Sequence, residues 1–207
     1  MALPVDQVAG FDVSRETYDK LQSFEVALKK WSSSINLISR HTIDDIWHRH
    51  IEDSAQIFGL SSHTPSMWTD LGSGGGLPAI VVAILSSEQH PANQTTMIES
   101  DQRKAAFLRS QVRELMLNAN VIADRIEAAP PQNAPIVSAR ALAPLDRLLP
   151  LIQRHLAPDG QALLMKGRRW QEEVDNARQG WTFECEAHTS ITDPASAILS
   201  LKDIARV

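Results

Sequence analysis

The run Thr69-Asp70-Leu71-Gly72-Ser73-Gly74-Gly75-Gly76-Leu77-Pro78 constrains this chain more than any other segment. A short β-prone stretch at 67–71 meets four glycines within five positions, and an apolar helical pattern begins directly after them. Glycine reaches positive φ and lets a backbone pass close to a ligand. Pro78 suits the first turn of the following helix, where its missing N–H costs nothing. The free amides of a helix start are ready donors to a polar or anionic group. Strand, glycine turn and helix in that order open a βα unit, and such units build layered α/β sheets.

The chain on either side agrees. Further β-prone stretches at 95–99, 120–123, 135–139 and 162–166 alternate with helical patterns at 77–87, 102–117, 145–156 and 171–178, and two last strands follow at 181–190 and 197–202. Seven strands spaced by helices of this length predict a doubly wound, mostly parallel sheet. The closing pair, with no long helix between them, predicts a hairpin and an antiparallel edge. Upstream, residues 14–60 read as helical. Ser14 is an N-cap candidate, Tyr18, Leu21, Phe24 and Leu28 form one stripe, and Ile43, Ile46, Trp47, His50 and Ile51 share a face of a second helix over 42–60. The Ser-Ser-His-Thr-Pro run at 61–65 ends it. The expected organisation is a helical extension over 1–64 packed on an α/β domain over 65–207.

Composition narrows the function. With 207 residues, 43 % of them apolar, the chain can bury a substantial core. A single cysteine, Cys185, rules out an intrachain disulfide and suits a reducing compartment. The N-terminus has no basic, apolar leader, and the longest apolar run, 80–85, is far too short to span a bilayer. A cytoplasmic, membrane-free monomer is expected. Net charge is −5, which disfavours a uniformly nucleic-acid-binding surface. The charge is uneven, however: 101–113 and 166–169 each carry a net +3.

The glycine run fits two templates. Gly74, Gly76 and Ala79 satisfy the dinucleotide fingerprint Gly-x-Gly-x-x-Gly/Ala. Asp70, Gly72, Gly74 and Gly76 satisfy the Asp-x-Gly-x-Gly-x-Gly loop of methyltransferases. A phosphate-binding Walker loop is excluded, since no Gly-Lys-Ser/Thr follows. Glu99 closes the next strand and can accept both ribose hydroxyls of a nucleoside, whichever cofactor carries it. Asp101, one step into the next helix, reads instead as a capping acid.

Several segments occur together in an informative order. They are 70–78, Glu99-Ser100-Asp101-Gln102-Arg103-Lys104-Ala105-Ala106-Phe107-Leu108-Arg109, Ser138-Ala139-Arg140-Ala141-Leu142-Ala143-Pro144-Leu145 and Leu164-Met165-Lys166-Gly167, with Trp31, Asn36-Leu37-Ile38-Ser39 and Arg49-His50-Ile51-Glu52-Asp53-Ser54 upstream. From about Tyr18 onward the chain resembles the RsmG (GidB) family, bacterial methyltransferases acting on guanine N7 in small-subunit (16S) ribosomal RNA. The resemblance implies a class I methyltransferase sheet and S-adenosylmethionine as cofactor, with no metal. Carried over by position, Asp70, Gly72, Gly74 and Leu77 would form the cofactor loop and Glu99 would hold the ribose. Ile126 and Glu127 would lie by the adenine, and Arg140 near both cofactor and target base. The family usually has Gly where Ala79 stands and a small residue where Ile126 stands.

Alkylation of guanine N7 uses a lone pair that carries no proton, so the lack of an acid–base dyad is expected; positioning and surrounding dipoles would supply the rate. Arg140 and Lys166 end neighbouring strands at the ligand crevice of an open parallel sheet and are the candidate catalytic side chains. Lys166, Arg168, Arg169 and Arg125 are the candidate RNA contacts. His48 and His50 point to different faces of a helix, and no cysteine lies near them, so no metal site is expected. His50 reads as a core histidine, with Asp53 and Ser54 the residues that could bring it to the crevice. Ser73 lacks the setting of a nucleophile elbow. Two other function classes stay open on residues alone. An NAD(P)-dependent oxidoreductase would use the same loop, although the sole tyrosine, Tyr18, is not part of a Tyr-x-x-x-Lys pair. A non-catalytic RNA-binding module would bind without transferring a methyl group.

Overall fold

The computed structural model describes residues 6–61 and 66–207. The expected boundary at 64/65, and the first five residues of the chain, lie outside them. A two-stranded antiparallel hairpin, β1 (Asp6–Val8) and β2 (Phe11–Val13), precedes helix α1 (Arg15–Ser32). Ser14 caps α1 as predicted, its Oγ accepting from the Thr17 amide at 3.3 Å. Removing such a cap typically costs about 1 kcal/mol.

The second helix predicted over 42–60 is a chain of short helical turns instead. A 3-10 turn (Arg40–Asp45), a π-helix (Trp47–Glu52), the three-residue α2 (Asp53–Ala55) and a 3-10 turn (Phe58–Leu60) follow one another. Ile46, His50, Ile51, Ser54, Ala55, Ile57 and Phe58 are nevertheless buried, so the apolar pattern located the buried face although not the helix type.

The main body alternates strands with helices except between its third and fourth strands and between its last two. Strand β3 (Met67–Leu71) leads to α3 (Ala79–Gln89), β4 (Gln94–Ile98) to α4 (Gln102–Glu114), then β5 (Ala119–Ile122) to β6 (Ala134–Arg140). Helix α5 (Leu145–His155), β7 (Leu156–Lys166), α6 (Trp170–Ala177), β8 (Trp181–Thr189) and β9 (Ala197–Arg206) complete it. The seven-stranded sheet has the order β5-β4-β3-β6-β7-β9-β8, with β5 to β7 mutually parallel and β9 antiparallel to both β7 and β8. The doubly wound sheet and its antiparallel edge are therefore as read from the sequence. Strand β7 starts six residues earlier than the 162 predicted, through Pro158 and Gly160, with a register irregularity against β6. Helix α3 begins at Ala79, with Pro78 at the cap position rather than inside the first turn.

Residues 79–86 of α3 are buried on every side. A helix apolar all round must be covered on both faces, and α1 supplies the second cover. Leu21, Phe24 and Leu28 share one hydrophobic cluster with Ile80, Ile84, Leu85 and Phe107. The N-terminal segment and the sheet domain thus have one core in common. Strand order reverses between β4-β3 and β6-β7, and ligands of open α/β sheets bind outside the carboxyl ends at such a switch point. The glycine loop after β3 and Arg140 at the end of β6 flank it.

Candidate active site

A cavity of about 880 Å³ lies at this switch point, bounded by the 72–77 loop, the end of β4, residues 125–127 and the 140–143 segment after β6. Register explains how its polar groups meet. Leu71 pairs with Ile98, which places Gly72 beside Glu99 at the ends of adjacent strands. The Glu99 carboxylate accepts from the Gly74 amide at 2.7 Å through one oxygen and from the Asp101 amide at 2.8 Å through the other. Each carboxylate oxygen can accept more than one bond, so Glu99 keeps acceptor capacity toward the cavity it lines.

Gly72, Gly74 and Gly76 all have positive φ. At Gly76 a Cβ would stand 2.5 Å from the Ile80 side chain, so the close packing of loop on helix requires glycine. At Gly74 a Cβ would have only the Gly72 carbonyl near it, at 3.8 Å. Its backbone faces open space in the cavity wall. Leu77 and Ile126 line the same space, and the buried His155 Nε2 holds residue 126 by a 2.9 Å contact with its carbonyl. Glu127 lines it too, in a 3.7 Å ion pair with Arg125.

Asp70 does not reach the cavity. Its carboxyl is buried directly opposite Ser138 in the β3–β6 register, and Oδ1 accepts from the Ser138 hydroxyl at 2.6 Å. The Trp68 indole in turn donates to Ser138 at 2.8 Å. Burial pushes the Asp70 carboxyl up to about 7, against the opposing hydrogen bond from Ser138. The expected cofactor contact is corrected: Asp70 sits beneath the loop and ties β3 to β6.

Arg140 is the most heavily bonded cation at the site. One terminal nitrogen, Nη2, reaches the Arg49 carbonyl at 3.1 Å, His50 Nδ1 at 2.9 Å and Asp53 Oδ2 at 3.2 Å. A guanidinium has only donors, so His50 Nδ1 is the acceptor and Nε2–H donates to the Thr42 hydroxyl at 2.7 Å. Thr42 passes the bond on to the Ser39 carbonyl at 2.8 Å. Burial, with Arg140 and Arg49 adding to it, pushes His50 down to about 3, so the ring is neutral at physiological pH. Asp53 is held in turn by the Ser190 and Thr192 hydroxyls and by Gln56. His50 and Asp53 are site residues missing from the sequence-derived set. The signals for them were the 49–54 segment among those carrying the family resemblance and the nearness of Asp53 and Ser54 to His50, which could bring that histidine to the crevice.

Lys166 requires the second correction. Its ammonium is turned inward, with only 8 % of the side chain exposed, donating to the Ala143 carbonyl at 2.7 Å and to Glu173 at 2.8 Å. The same Glu173 oxygen accepts from the Leu145 amide at the start of α5. A lysine engaged in this way clamps the 141–144 segment and is not a free phosphate contact. Arg168 and Arg169 are exposed, Arg168 with a 3.7 Å partner in Asp193, and Arg125 is exposed as well. Among the described residues no group of three or more His, Cys, Asp or Glu side chains is placed to hold a metal, and no helix is long and apolar enough to cross a membrane.

Comparison with known proteins bears on this geometry. Residues 17–199 match the family model described as GidB, rRNA small subunit methyltransferase G. Curated relatives named ribosomal RNA small subunit methyltransferase G include one from Ruegeria sp. (strain TM1040), 52 % identical over 95 % of both chains. Another, from Paracoccus denitrificans, is 50 % identical over 91 % of this chain and 96 % of its own. Solved structures share the fold at low identity. A TehB-like SAM-dependent methyltransferase from Corynebacterium glutamicum is 13 % identical with a TM-score of 0.57, covering 89 % of this chain and 98 % of its own. A point mutant of MtNAS in complex with S-adenosylmethionine is 14 % identical with a TM-score of 0.60, covering 91 % and 72 %.

Proposed function

Because the chain belongs to the rRNA small subunit methyltransferase G family, we propose that it transfers a methyl group from S-adenosylmethionine to N7 of one guanine in 16S ribosomal RNA. The observation that carries this reading is the joining of Gly74, Glu99 and the 125–127 turn around one cavity at the sheet's switch point. That cavity falls within the roughly 300–1,000 Å³ usual for cofactor sites. It offers an acceptor for sugar hydroxyls, an apolar wall for a flat ring and an open glycine backbone for a tail, which is the set of contacts a nucleoside sulfonium needs. When bound, S-adenosylmethionine supplies an electrophilic methyl carbon.

The chain's own residues do the rest. Glu99 accepts from the ribose hydroxyls. Ile126 packs on the adenine, with Glu127 at its edge. Gly72, Gly74 and Leu77 bring backbone up to the cofactor. Arg140, fixed by three acceptors, orients the groups that meet beside it. N7 has no proton to lose, so no side chain is required to take one. Holding reactants in line and in contact supplies up to about 7–11 kcal/mol in favourable systems. Arg125, Arg168 and Arg169 contact RNA phosphates, and a guanine in structured RNA is unstacked to enter. The protein works as a cytoplasmic monomer, residues 1–64 forming the extension and 65–207 the methyltransferase domain.

The test is incubation with methyl-labelled S-adenosylmethionine and unmodified small-subunit RNA or particles, then mapping of the labelled base. Label on N7 of a single guanine is expected. Absence of label from both substrates, or label on another atom, overturns the proposal. Calorimetric binding of NAD(H) without any of S-adenosylmethionine would replace it with an oxidoreductase.

A further inference from the structure

A second, smaller cleft of about 240 Å³ opens beside Arg140. It shares His50, Arg140 and Ala141 with the large cavity, so the two spaces adjoin at these residues. The volume is below the usual range for a nucleoside-sized ligand, so it is not a second cofactor site. Its lining has two characters. Met165, Ala197 and Ile198 give apolar surface, while Ser190, Thr192 and Asp193, on the turn between β8 and β9, stand among its polar residues. Arg49, His50, Asp53 and Lys166 line it as well, so the cleft is polar with a small apolar patch, and hydrogen-bonding groups beside apolar surface are how proteins read a base that has left its stack.

From this arrangement we infer that the smaller cleft holds the target guanine, with Asp193 reading its Watson–Crick edge. The inference rests on the proposed N7 methyl transfer and adds the residue that selects the base. N7 must face the opening toward the cofactor cavity beside the shared residues, so that the methyl carbon can meet it in line with nothing between them. On guanine, N1–H and the N2 amino group then point away from that opening, toward the turn that carries Asp193. Both are donors, and a carboxylate is the one side chain that accepts two parallel N–H bonds while donating none. Adenine presents a bare N1 lone pair there and is repelled. Asp193 is ready for the task. Amide donation from Ala195, at 3.0 Å, is the largest of the influences that hold its carboxyl below the usual range. Its Oδ2 has the Ser196 hydroxyl at 3.2 Å and Arg168 at 3.7 Å, and only about a quarter of the side chain is exposed.

Three substitutions and two RNAs test the idea. Asp193→Asn removes the paired acceptor, and the expected result is a loss of about 100-fold in kcat/KM on guanine-bearing RNA with cofactor affinity unchanged by calorimetry. Placing inosine, which lacks the 2-amino group, at the target should cost the wild type about 10-fold and cost Asp193→Asn almost nothing further. Ser196→Ala removes one hydrogen bond to Asp193 at the edge of the cleft and should cost far less on guanine-bearing RNA than Asp193→Asn, separating the stability of the turn from recognition. Gly167 lines the cleft, and a Cβ added there meets no atom within 4 Å. Gly167→Leu should therefore block methyl transfer by filling the cleft while the fold and cofactor affinity persist. Full activity in Asp193→Asn or Gly167→Leu, or equal losses of Asp193→Asn on guanine and inosine RNA, overturns the assignment. If the wild type itself labels no guanine, it is the proposed function that has failed.

Discussion

Glu173→Ala is the substitution whose cost can be worked most directly from the structure. The Glu173 carboxylate accepts from Lys166 Nζ at 2.8 Å and caps α5 through the Leu145 amide at 3.0 Å. Its removal leaves the Lys166 ammonium, 8 % exposed, with the Ala143 carbonyl as its remaining bond. Breaking a buried ion pair by deleting one partner costs about 3–5 kcal/mol. Glu173 is itself 27 % exposed, so water relieves part of that, and about 2–4 kcal/mol is the expected total with the lost cap included. At roughly 2–4 °C per kcal/mol for a chain of this size, Tm should fall by about 4–16 °C. Urea unfolding followed by circular dichroism measures the free energy directly. The double variant Lys166→Met/Glu173→Leu should recover most of the loss, because an apolar pair leaves no unpaired charge behind. A Glu173→Ala protein within about 0.5 kcal/mol of wild type, the spread of ordinary surface substitutions, would show that Lys166 finds water or another acceptor and that the clamp is unimportant.

Other substitutions probe the loop and the buried charges. Gly74→Val puts a β-branched side chain at positive φ with its Cβ facing the cavity, so calorimetry should show cofactor affinity down by more than about 100-fold while unfolding free energy falls only on the order of 1–3 kcal/mol. Glu99→Gln replaces a charged acceptor by a neutral one that also donates, and a loss of about 10-fold in cofactor affinity is expected from the usual worth of a charge-assisted bond; unchanged affinity would remove Glu99 from the site. The Asp70 carboxyl has a folded pKa of about 7, above its unfolded value of 3.8. A raised acid contributes stability that is fully present below the unfolded pKa and is lost as pH rises toward the folded one. Relative to Asp70→Asn, the wild type should therefore lose on the order of 4 kcal/mol between about pH 4 and pH 7 and then level off; a flat difference in unfolding free energy across pH 5 to 8 would contradict the upward shift of this buried carboxyl.

What could be read in advance follows the range over which each feature is encoded. The βα alternation, the Ser14 cap and the glycine loop are local, and the strand-end position of Glu99 follows from them. The β1–β2 hairpin escaped because each strand has three residues and buries one valine, Val8 or Val13, too little for a period to show. The π-helical turn at Trp47–Glu52 has the same apolar spacing as an α-helix over so short a span. The inward turn of Lys166 was illegible for a different reason. A basic residue at a strand end is ordinarily solvated, and only the fold sets Glu173 of α6 against it. The partners of Arg140 lie about ninety positions away in the chain. Neither propensity nor pattern carries information of that kind, whereas the family resemblance did include the 49–54 segment without saying what it contacts.

The three acceptors on Arg140 Nη2 all come from the 49–53 segment, and this limits how the molecule can be taken apart. A stripped-down enzyme beginning near β3 would keep every strand of the large sheet and the whole glycine loop, yet it would strand a guanidinium at the mouth of its own reaction chamber without the acceptors that now hold it. Any chimera that grafts this sheet onto a different N-terminal module must therefore transplant Arg49, His50 and Asp53 along with it.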